Sequence, residues 1–324
     1  MDGATAVFAA LVFPGLLFTF LMGLFFEYVE RKLVARVQRR IGPLYAGPGG
    51  VLQPLYDFVK LLVKEELPPE GVDRLYYWLA PLLAAAAPAY GMAFIPVSSF
   101  RLSIDTPYDY VFTLFLFSFA VFATAAAGYA VYSPYTAMGV GRLVVQYSVY
   151  EAIFASTLAL ASLQTGATSF RGLIEYQALH GPLALYQPLG LAAAVVALLA
   201  KLEKTPFDLP HAKQEIVAGW MTEYSGRGLA FLHIAKDMSA VWGSALIVAV
   251  YLGGPLGPLY GALGGLVDAA WFVAKMVAVY AAVAFISSLA GRVRVRGLAE
   301  KIWGALLPLV FVQFLIVVAL RWLV

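Results

Sequence analysis

The chain has 324 residues, of which 62% are hydrophobic and 13% are charged, and its formal net charge is +3. Its mean hydropathy of +0.81 is not that of a soluble domain. Because the chain contains no cysteine, it holds no disulfide, thiolate-bound zinc or cysteine-held iron–sulfur cluster. Its basic residues are grouped between apolar segments, so we do not interpret them as a nucleic-acid footprint. We expect one all-α membrane domain over residues 1–324, surrounded by lipid.

Eight apolar segments predict about eight transmembrane helices, because about 20 apolar residues cross a membrane core of roughly 30 Å. The predicted spans are 4–26, 75–97, 109–131, 140–163, 184–202, 238–254, 268–290 and 301–323. Alternate connections contain 18 of the 22 Lys and Arg residues: 27–74, 132–142, 201–237 and 291–301. Positively charged loops remain in the cytoplasm. We therefore expect a multi-pass protein of the plasma membrane with cytoplasmic large loops and both termini outside.

The first connection begins with Glu27 and Glu30 and then becomes strongly basic, with Arg31, Lys32, Arg36, Arg39 and Arg40. Such residues bind anionic lipid head groups, at about 1 kcal/mol each, or a soluble partner.

After a Gly-Pro turn, residues 51–66 repeat apolar side chains at helical spacing but are too charged to span a membrane. They predict an amphipathic helix along the interface, with Asp57 and Lys60 on its polar side. A surface helix that only anchors the chain is the alternative.

Glu151 lies about 13 residues into the fourth span, which is roughly 20 Å along a helix. A carboxylate there costs about 2.5–3.5 kcal/mol on insertion scales, so we expect it to face the bundle interior or a hydrated cavity. Arg142, Gln146 and Tyr150 recur every four residues, and Tyr147 and Glu151 repeat that spacing beside them. This polar stripe suggests a hydrated path, although a neutral Glu hydrogen-bonded between helices would also fit.

The third connection alternates acidic and basic residues up to Glu215. Two prolines four residues apart predict that the helix of the fifth span ends and another begins. Asp208 is placed to cap the new helix, and Glu215 and Glu223 would follow on it. An ordinary loop beside the membrane is the alternative.

Lys275 is a second ionisable residue within a span, seven residues after Asp268. It is either part of an ion path or compensated by Asp268. The three histidines show no metal-ligand spacing, and the sequence lacks phosphate-binding, nucleophile-elbow and dinucleotide motifs: His180, His211 and His233. We therefore assign no catalytic and no metal-binding residues.

Three loop segments carry recognisable motifs: 30–43 with 47–65, 142–151 and 206–226. They read Glu-Arg-Lys-Leu-Val-Ala-Arg-Val-Gln-Arg-Arg-Ile-Gly-Pro, Arg-x-x-x-Gln-x-x-x-Tyr-Glu, and Pro-Phe-Asp-Leu-Pro followed by Glu-Ile-Val-Ala-Gly and Thr-Glu-Tyr-Ser-Gly. The chain thereby resembles subunit 1 of complex I, the H-type subunit of NADH-quinone oxidoreductases, and the matching subunit of membrane-bound hydrogenases. The resemblance implies a non-redox membrane subunit that joins a soluble electron-transfer arm to a pumping membrane arm.

The residue patterns and the resemblance together predict two sets of functional residues. The proton or ion path comprises Glu151, Tyr147, Gln146, Arg142, Glu203, Glu215, Glu223 and Lys275. The junction, or a quinone-like chamber, comprises Glu27, Glu30, Arg31, Arg39, Arg40, Asp57, Lys60, Asp208, His211 and Lys213.

The resemblance also implies the setting of this subunit. It implies no cofactor in this chain and iron–sulfur clusters in partner subunits, and it leaves quinone open as a ligand. The expected partners are soluble iron–sulfur and NiFe-hydrogenase-like subunits on the cytoplasmic side, together with antiporter-like and small membrane subunits.

The chain departs from the quinone-type pattern at three places. His211-Ala212-Lys213 replaces Glu-Ala-Glu, Lys201 lies near the position of a Glu, and Arg296-Gly297 lies near that of an Asp-Gln pair. These changes favour the membrane-bound hydrogenase or sulfane sulfur reductase branch. The alternatives are a quinone-chamber subunit, a scaffold that anchors the soluble arm, and a stand-alone secondary transporter, although the Gly/Pro-broken paired spans of inverted repeats are missing.

Overall fold

The computed structural model describes residues 3–100, 102–258, 260–261, 264–294 and 297–323. Their regular secondary structure is helical: α1 Gly3–Leu11, α2 Leu16–Val37, α3 Gln53–Val63, α4 Arg74–Met92, α5 Asp109–Tyr129, α6 Pro134–Thr165, α7 Phe170–His180, α8 Pro188–Lys201, α9 Lys213–Ile216, α10 Gly226–Tyr251, α11 Gly265–Leu289 and α12 Leu298–Leu323. Single 3-10 turns also form at 48–50, 183–185, 209–211 and 219–221. The predicted all-α class is confirmed.

Each predicted span lies in a helical part of the structure, and the first is divided between α1 and α2. Among the described residues, six segments are long and apolar enough to cross a membrane: Gly3–Val37, Asp109–Tyr129, Pro134–Thr165, Gly226–Tyr251, Gly265–Leu289 and Ile302–Arg321. The other two predicted spans correspond to α4, which contains two prolines and three tyrosines, and to α8, which has 14 residues. The chain is an integral membrane protein.

The first predicted span, 4–26, is wrong as a single helix. The chain breaks at Pro14, because proline lacks an N–H group and its ring clashes with the preceding turn. Thr19 stabilises the start of α2, its Oγ1 donating to the carbonyl of Gly15 at 2.7 Å. Helix α2 then continues to Val37, well beyond the predicted edge, and packs on α10 and α11.

Helix α10 is the central helix of the bundle. It begins at Gly226 rather than near 238, and most of its residues are buried. It packs against α2, α3, α4 and α11. Lys236 and Asp237, which the sequence places in a loop, therefore lie inside the bundle.

The predicted helix after Asp208 is wrong as a continuous element. The segment instead forms two single turns and the four-residue α9, because Val217 and Gly219 adopt left-handed conformations. A Cβ on Gly219 would lie 1.6 Å from the carbonyl oxygen of Pro210, so only glycine lets the two turns approach. The segment therefore folds back under the bundle instead of extending as a helix.

The amphipathic helix predicted at 51–66 is present as α3. Leu55 and Phe58 on its apolar side pack against a cluster that includes Ile234 and Met238 of α10. Helix α7 was not predicted, because its single buried face is short and interrupted by polar residues.

Candidate functional site

A buried carboxylate, Glu203, lies between two basic side chains just after α8. Lys236 of α10 binds it with 2.8 Å between Nζ and Oε2, and His211 contacts the same oxygen through Nε2. Trp220 donates from Nε1 to that oxygen at 3.4 Å. Burial raises the pKa of Glu203, but the charges of Lys236 and His211 and their hydrogen bonds hold it well below its ordinary value. Glu203 is therefore ionised at neutral pH although its side chain is only 5% exposed.

A second buried acid, Glu30 of α2, pairs with the residue that follows Glu203. The distance between Nζ of Lys204 and Oε2 of Glu30 is 2.5 Å. Tyr280 of α11 donates to the same oxygen at 2.5 Å. The segment after α8 thus directs one acidic and one basic side chain into the bundle, where they bind partners on different helices.

A cavity of about 340 Å³ lies between α2, α3 and α10. At its polar end Arg31 binds Asp57, with 2.7 Å between Nη1 and Oδ2, and contacts Glu27 through Nη2. Burial raises the pKa of Asp57, but hydrogen bonds from Arg31 and Gln53 bring it below its ordinary value. Asp237 of α10 also lines this cavity and lies within electrostatic reach of Glu27. The cavity therefore opens onto buried charges.

Glu151 faces the bundle interior, as its position in the sequence predicts. It accepts a hydrogen bond from Ser118 of α5 at 2.6 Å, and its Oε2 is buried without a hydrogen-bond partner among the described residues. Lys201 donates to the carbonyl of Phe117 at 2.7 Å and lies within electrostatic reach of Glu151 and Glu203. A cavity of about 30 Å³, enough for one water molecule, lies beside Lys201 and Glu203.

Two arginines hold the segment 205–225 against the bundle. Arg142 of α6 binds Glu215 with 2.5 Å between Nη1 and Oε2. Arg292, after α11, lies 3.2 Å from Asp208 and 3.6 Å from Glu215. The predicted capping by Asp208 does not occur, because its carboxylate pairs with Arg292 and makes no side-chain cap.

The polar stripe of α6 turns toward several different neighbours. Arg142 binds the loop segment, whereas Gln146 is buried and donates to the carbonyl of Ala200 at 2.6 Å. Tyr147 packs edge-on against the rings of Phe122 and Tyr150. The stripe is therefore divided among the 205–225 segment, α8 and α5.

Lys275 lies apart from the other predicted path residues. Its ammonium donates to three carbonyls of the turn after α10, at 2.6–2.9 Å: Leu252, Gly254 and Leu256. Asp268 instead accepts from the backbone N–H of Gly261 at 3.3 Å, and within the described part of the chain it forms no ion pair with Lys275. The contacts of Lys275 are those of a cation at a helix C-terminus.

Several predicted junction residues remain on the surface. Arg39 and Arg40 are exposed, and Lys60 is 70% exposed and 3.8 Å from Asp57. Among the described residues, Glu223 makes no ion pair. The side chain of Lys213 and the whole of Arg296 lie outside the described part of the chain.

The structure adds six polar residues that the sequence did not assign to the site: Lys201, Lys204, Lys236, Asp237, Tyr280 and Arg292. The sequence contains a signal for two of them, Lys236 and Asp237. Apolar residues at 229–232, 234 and 235 lead into the predicted span, which could have placed Lys236 and Asp237 inside a helix. Tyr280 had no such signal, because tyrosine is common in membrane helices.

The buried charges form one connected row. From the cavity beside Asp57 it reaches Asp237, which lies within electrostatic reach of the Glu30 pair and of Lys236. It continues from Lys236 through Glu203 to Lys201 and Glu151. Ionisable groups inside a membrane bundle are expensive and mark ion or proton pathways. Fold and site define the class: a polytopic membrane protein with a row of paired charges in its interior.

The chain belongs to the NADH dehydrogenase family, whose model matches residues 10–318. Within that family it is the subunit 1, or H-type, protein of the complex-I-like oxidoreductases and thus a membrane subunit of a multisubunit complex. The resemblance inferred from the loop motifs is confirmed.

The relatives share most of the length of this chain. The H-type subunit of the NADH-quinone oxidoreductase of Dehalococcoides mccartyi strain CBDB1 is 33% identical over 92% of this chain and 83% of its own. That of Thermomicrobium roseum is 33% identical over 89% of each. A chain in the structure of the membrane-bound sulfane sulfur reductase, an archaeal respiratory membrane complex, has a TM-score of 0.86 at 22% identity, over 97% of this chain and 99% of that one. This last likeness establishes the fold.

Proposed function

We propose that this chain couples electron transfer in partner subunits to the movement of protons or sodium ions across the membrane. The observation that carries the proposal is the connected row of buried charges between the α2–α3–α10 cavity and Glu151. A change of charge at the cavity alters the free energy of every other charge in the row, because electrostatic interactions are strong where water is scarce. The chain would thereby transmit a redox event without holding an electron carrier.

We propose that the electron carriers are iron–sulfur clusters of soluble subunits docked on the basic first loop. Arg39 and Arg40 are exposed there, and neither forms an ion pair with another described residue. NiFe-hydrogenase-like subunits are the proposed soluble partners, and antiporter-like and small membrane subunits would continue the row in the membrane. The grouping of Lys and Arg in alternate loops supports cytoplasmic loops and outward termini.

The hydrogenase or sulfane sulfur reductase branch agrees best with the charge of the site. His211 takes the place of a quinone-type acid and contacts Glu203 and Lys236 directly. A quinone-type acceptor is the second candidate, supported by the cavity between α2, α3 and α10. Leu24, Phe58 and Leu61 give that cavity an apolar wall opposite its charged end.

Glu151→Gln tests the coupling role. The change keeps the size of the side chain and removes its charge, so ion movement per electron should fall while acceptor reduction continues. The assay is the intact complex in proteoliposomes, supplied in turn with quinone, protons and polysulfide as acceptors. Glu175→Gln is the control, because Glu175 lies on α7 and its side chain is 66% exposed. Unchanged ion movement in Glu151→Gln would contradict the proposal.

A stand-alone transporter would behave differently. The purified single chain would then move its substrate in vesicles without the soluble arm, and Glu151→Gln would abolish that transport. Transport by the isolated chain would therefore replace the coupling role with the transporter alternative.

A further inference from the structure

His211 makes three polar contacts, and the two at Nε2 require different protonation states of its ring. Nδ1 lies 3.1 Å from the carbonyl oxygen of Ala218. Because a carbonyl oxygen only accepts hydrogen bonds, Nδ1 carries a hydrogen. Nε2 contacts both Oε2 of Glu203 and Nζ of Lys236. The protonation of Nε2 therefore decides which of these two contacts is a hydrogen bond.

The two possible arrangements differ by one proton. In the neutral ring, the lone pair of Nε2 accepts from the ammonium of Lys236 and offers nothing to Glu203. In the imidazolium, Nε2–H donates to Glu203 and repels Lys236. Glu203 remains the shared anion in both states, and the position of Lys236 depends on the proton.

The surroundings of His211 restrict which charges act on it. Glu203 faces it from the segment after α8, and Lys236 and His233 act on it from α10. The charged residue of α6 near this turn, Arg142, binds Glu215 instead. The centroid of the His211 ring lies 5.3 Å from that of Trp220, which carries no charge. With 16% of its side chain exposed, His211 has access to solvent on one side and to the buried row on the other.

We propose that His211 is a proton-loading residue at the edge of the buried row. Nε2 takes up one proton from the solvent side, exchanges the hydrogen bond from Lys236 for one to Glu203, and releases the same proton when the charge of the row changes. The ammonium of Lys236 is repelled from Nε2 while the proton is bound. This inference rests on the proposed coupling function, and it assigns to an imidazole the position that an acid occupies in the quinone-type pattern.

Two substitutions separate proton carrying from a structural role. His211→Gln preserves the hydrogen-bonding capacity toward Ala218 and Lys236 but cannot gain a proton. His211→Glu can carry a proton but lacks the ring. In proteoliposomes containing the intact complex, His211→Gln should slow ion movement by roughly tenfold or more, since a positioned proton carrier speeds transfer by at least that factor. His211→Glu should recover a substantial part of that rate.

The outcomes separate the inference from the proposed function. Wild-type rates in His211→Gln, or equal losses in both variants, would overturn the proton-loading role and leave the coupling function standing. If the wild-type complex moves no ions, the coupling function fails instead.

Infrared difference spectra give a readout that does not depend on ion movement. Reduced-minus-oxidised spectra of the intact complex, labelled with ¹³C-histidine, should contain an imidazole protonation band that His211→Gln removes. His180→Gln is the matched control, because Nδ1 of His180 also lies 3.1 Å from a carbonyl, that of Tyr176, on the exposed helix α7. A band that persists in His211→Gln would refute the assignment.

Discussion

Replacing Glu203 by Gln should destabilise the protein more than any exposed acid-to-amide change. The substitution leaves the ammonium of Lys236 inside the bundle without a counter-ion. The amide oxygen of Gln still accepts from Trp220 Nε1–H, so the change removes the negative charge and not that hydrogen bond. The buried row would lose the anion on which its basic residues depend.

The expected magnitude follows from the geometry. At 2.8 Å and an effective dielectric constant of about 20, one pair of unit charges attracts by about 6 kcal/mol before desolvation is subtracted. Removing one partner of a buried pair costs about 3–5 kcal/mol. Since Lys236 is 25% exposed, water screens part of its charge, and we expect the lower end, about 3 kcal/mol. At about 2.1 cal/mol/K of unfolding entropy per residue, this lowers the unfolding temperature of a 324-residue chain by about 4 °C.

The direction of the pKa shift of Glu203 decides the pH at which the stability of the variant should be measured. Because the pKa of Glu203 lies below its ordinary value of 4.5, its stabilisation is complete above that value and is lost only as the pH falls through the lower, folded value. A measurement near pH 8 therefore reports its full contribution.

The assay is the unfolding midpoint of the purified complex, followed by tryptophan fluorescence. Adding Lys236→Gln to Glu203→Gln removes the unpaired ammonium, so the double variant should be more stable than Glu203→Gln alone. Glu175→Gln, an exposed control, should shift the midpoint by no more than about 1 °C. The reasoning is refuted if Glu203→Gln matches this control, or if the two substitutions at the pair are simply additive.

Two further substitutions test the packing of the site and the role of its outlying lysine. Gly139→Ala would place a Cβ 2.4 Å from the backbone nitrogen of Trp220, so it should lower the free energy of unfolding by about 1–3 kcal/mol and slow ion movement. Gly141→Ala is the control, because a Cβ there meets no described atom within 4 Å, and it should change neither quantity. Lys275→Gln should lower the unfolding midpoint, since hydrogen bonds from a charged group contribute about 1.5–3 kcal/mol each, and should leave ion movement per electron unchanged; a lower ratio would instead place Lys275 on the path.

The sequence predicts the helices more reliably than their ends. Helix existence follows from runs of apolar residues, which both the membrane and the bundle interior require. The residue at which a helix ends depends on the contacts that the neighbouring segment makes in the folded protein. Helix α10 extends to Gly226 because its charged residues find partners inside the bundle, and hydropathy alone treats those residues as loop.

The site is only partly predictable for the same reason. The interior position of Glu151 could be predicted because a carboxylate in the middle of an apolar helix is costly when it faces lipid. The partners Lys201 and Lys204 lie at and just after the end of α8 and Lys236 lies in α10, and no local pattern specifies that they meet Glu151, Glu30 and Glu203. Only the fold-back of the 205–225 segment, permitted by Gly219, brings His211 to Glu203.

Adjacent residues of opposite charge explain how the row transmits a change. In the pairs Glu203-Lys204 and Lys236-Asp237, the two side chains enter different clusters: Glu203 and Lys236 bind each other, whereas Lys204 binds Glu30 and Asp237 lies near Glu27. Lys236 and Asp237 are successive residues of α10 and point about 100° apart, so one helical backbone carries a member of each cluster. A shift of the α10 backbone at Lys236 would therefore move Asp237 as well. This shared backbone gives the row a physical means of coupling that does not require direct contact between its two clusters.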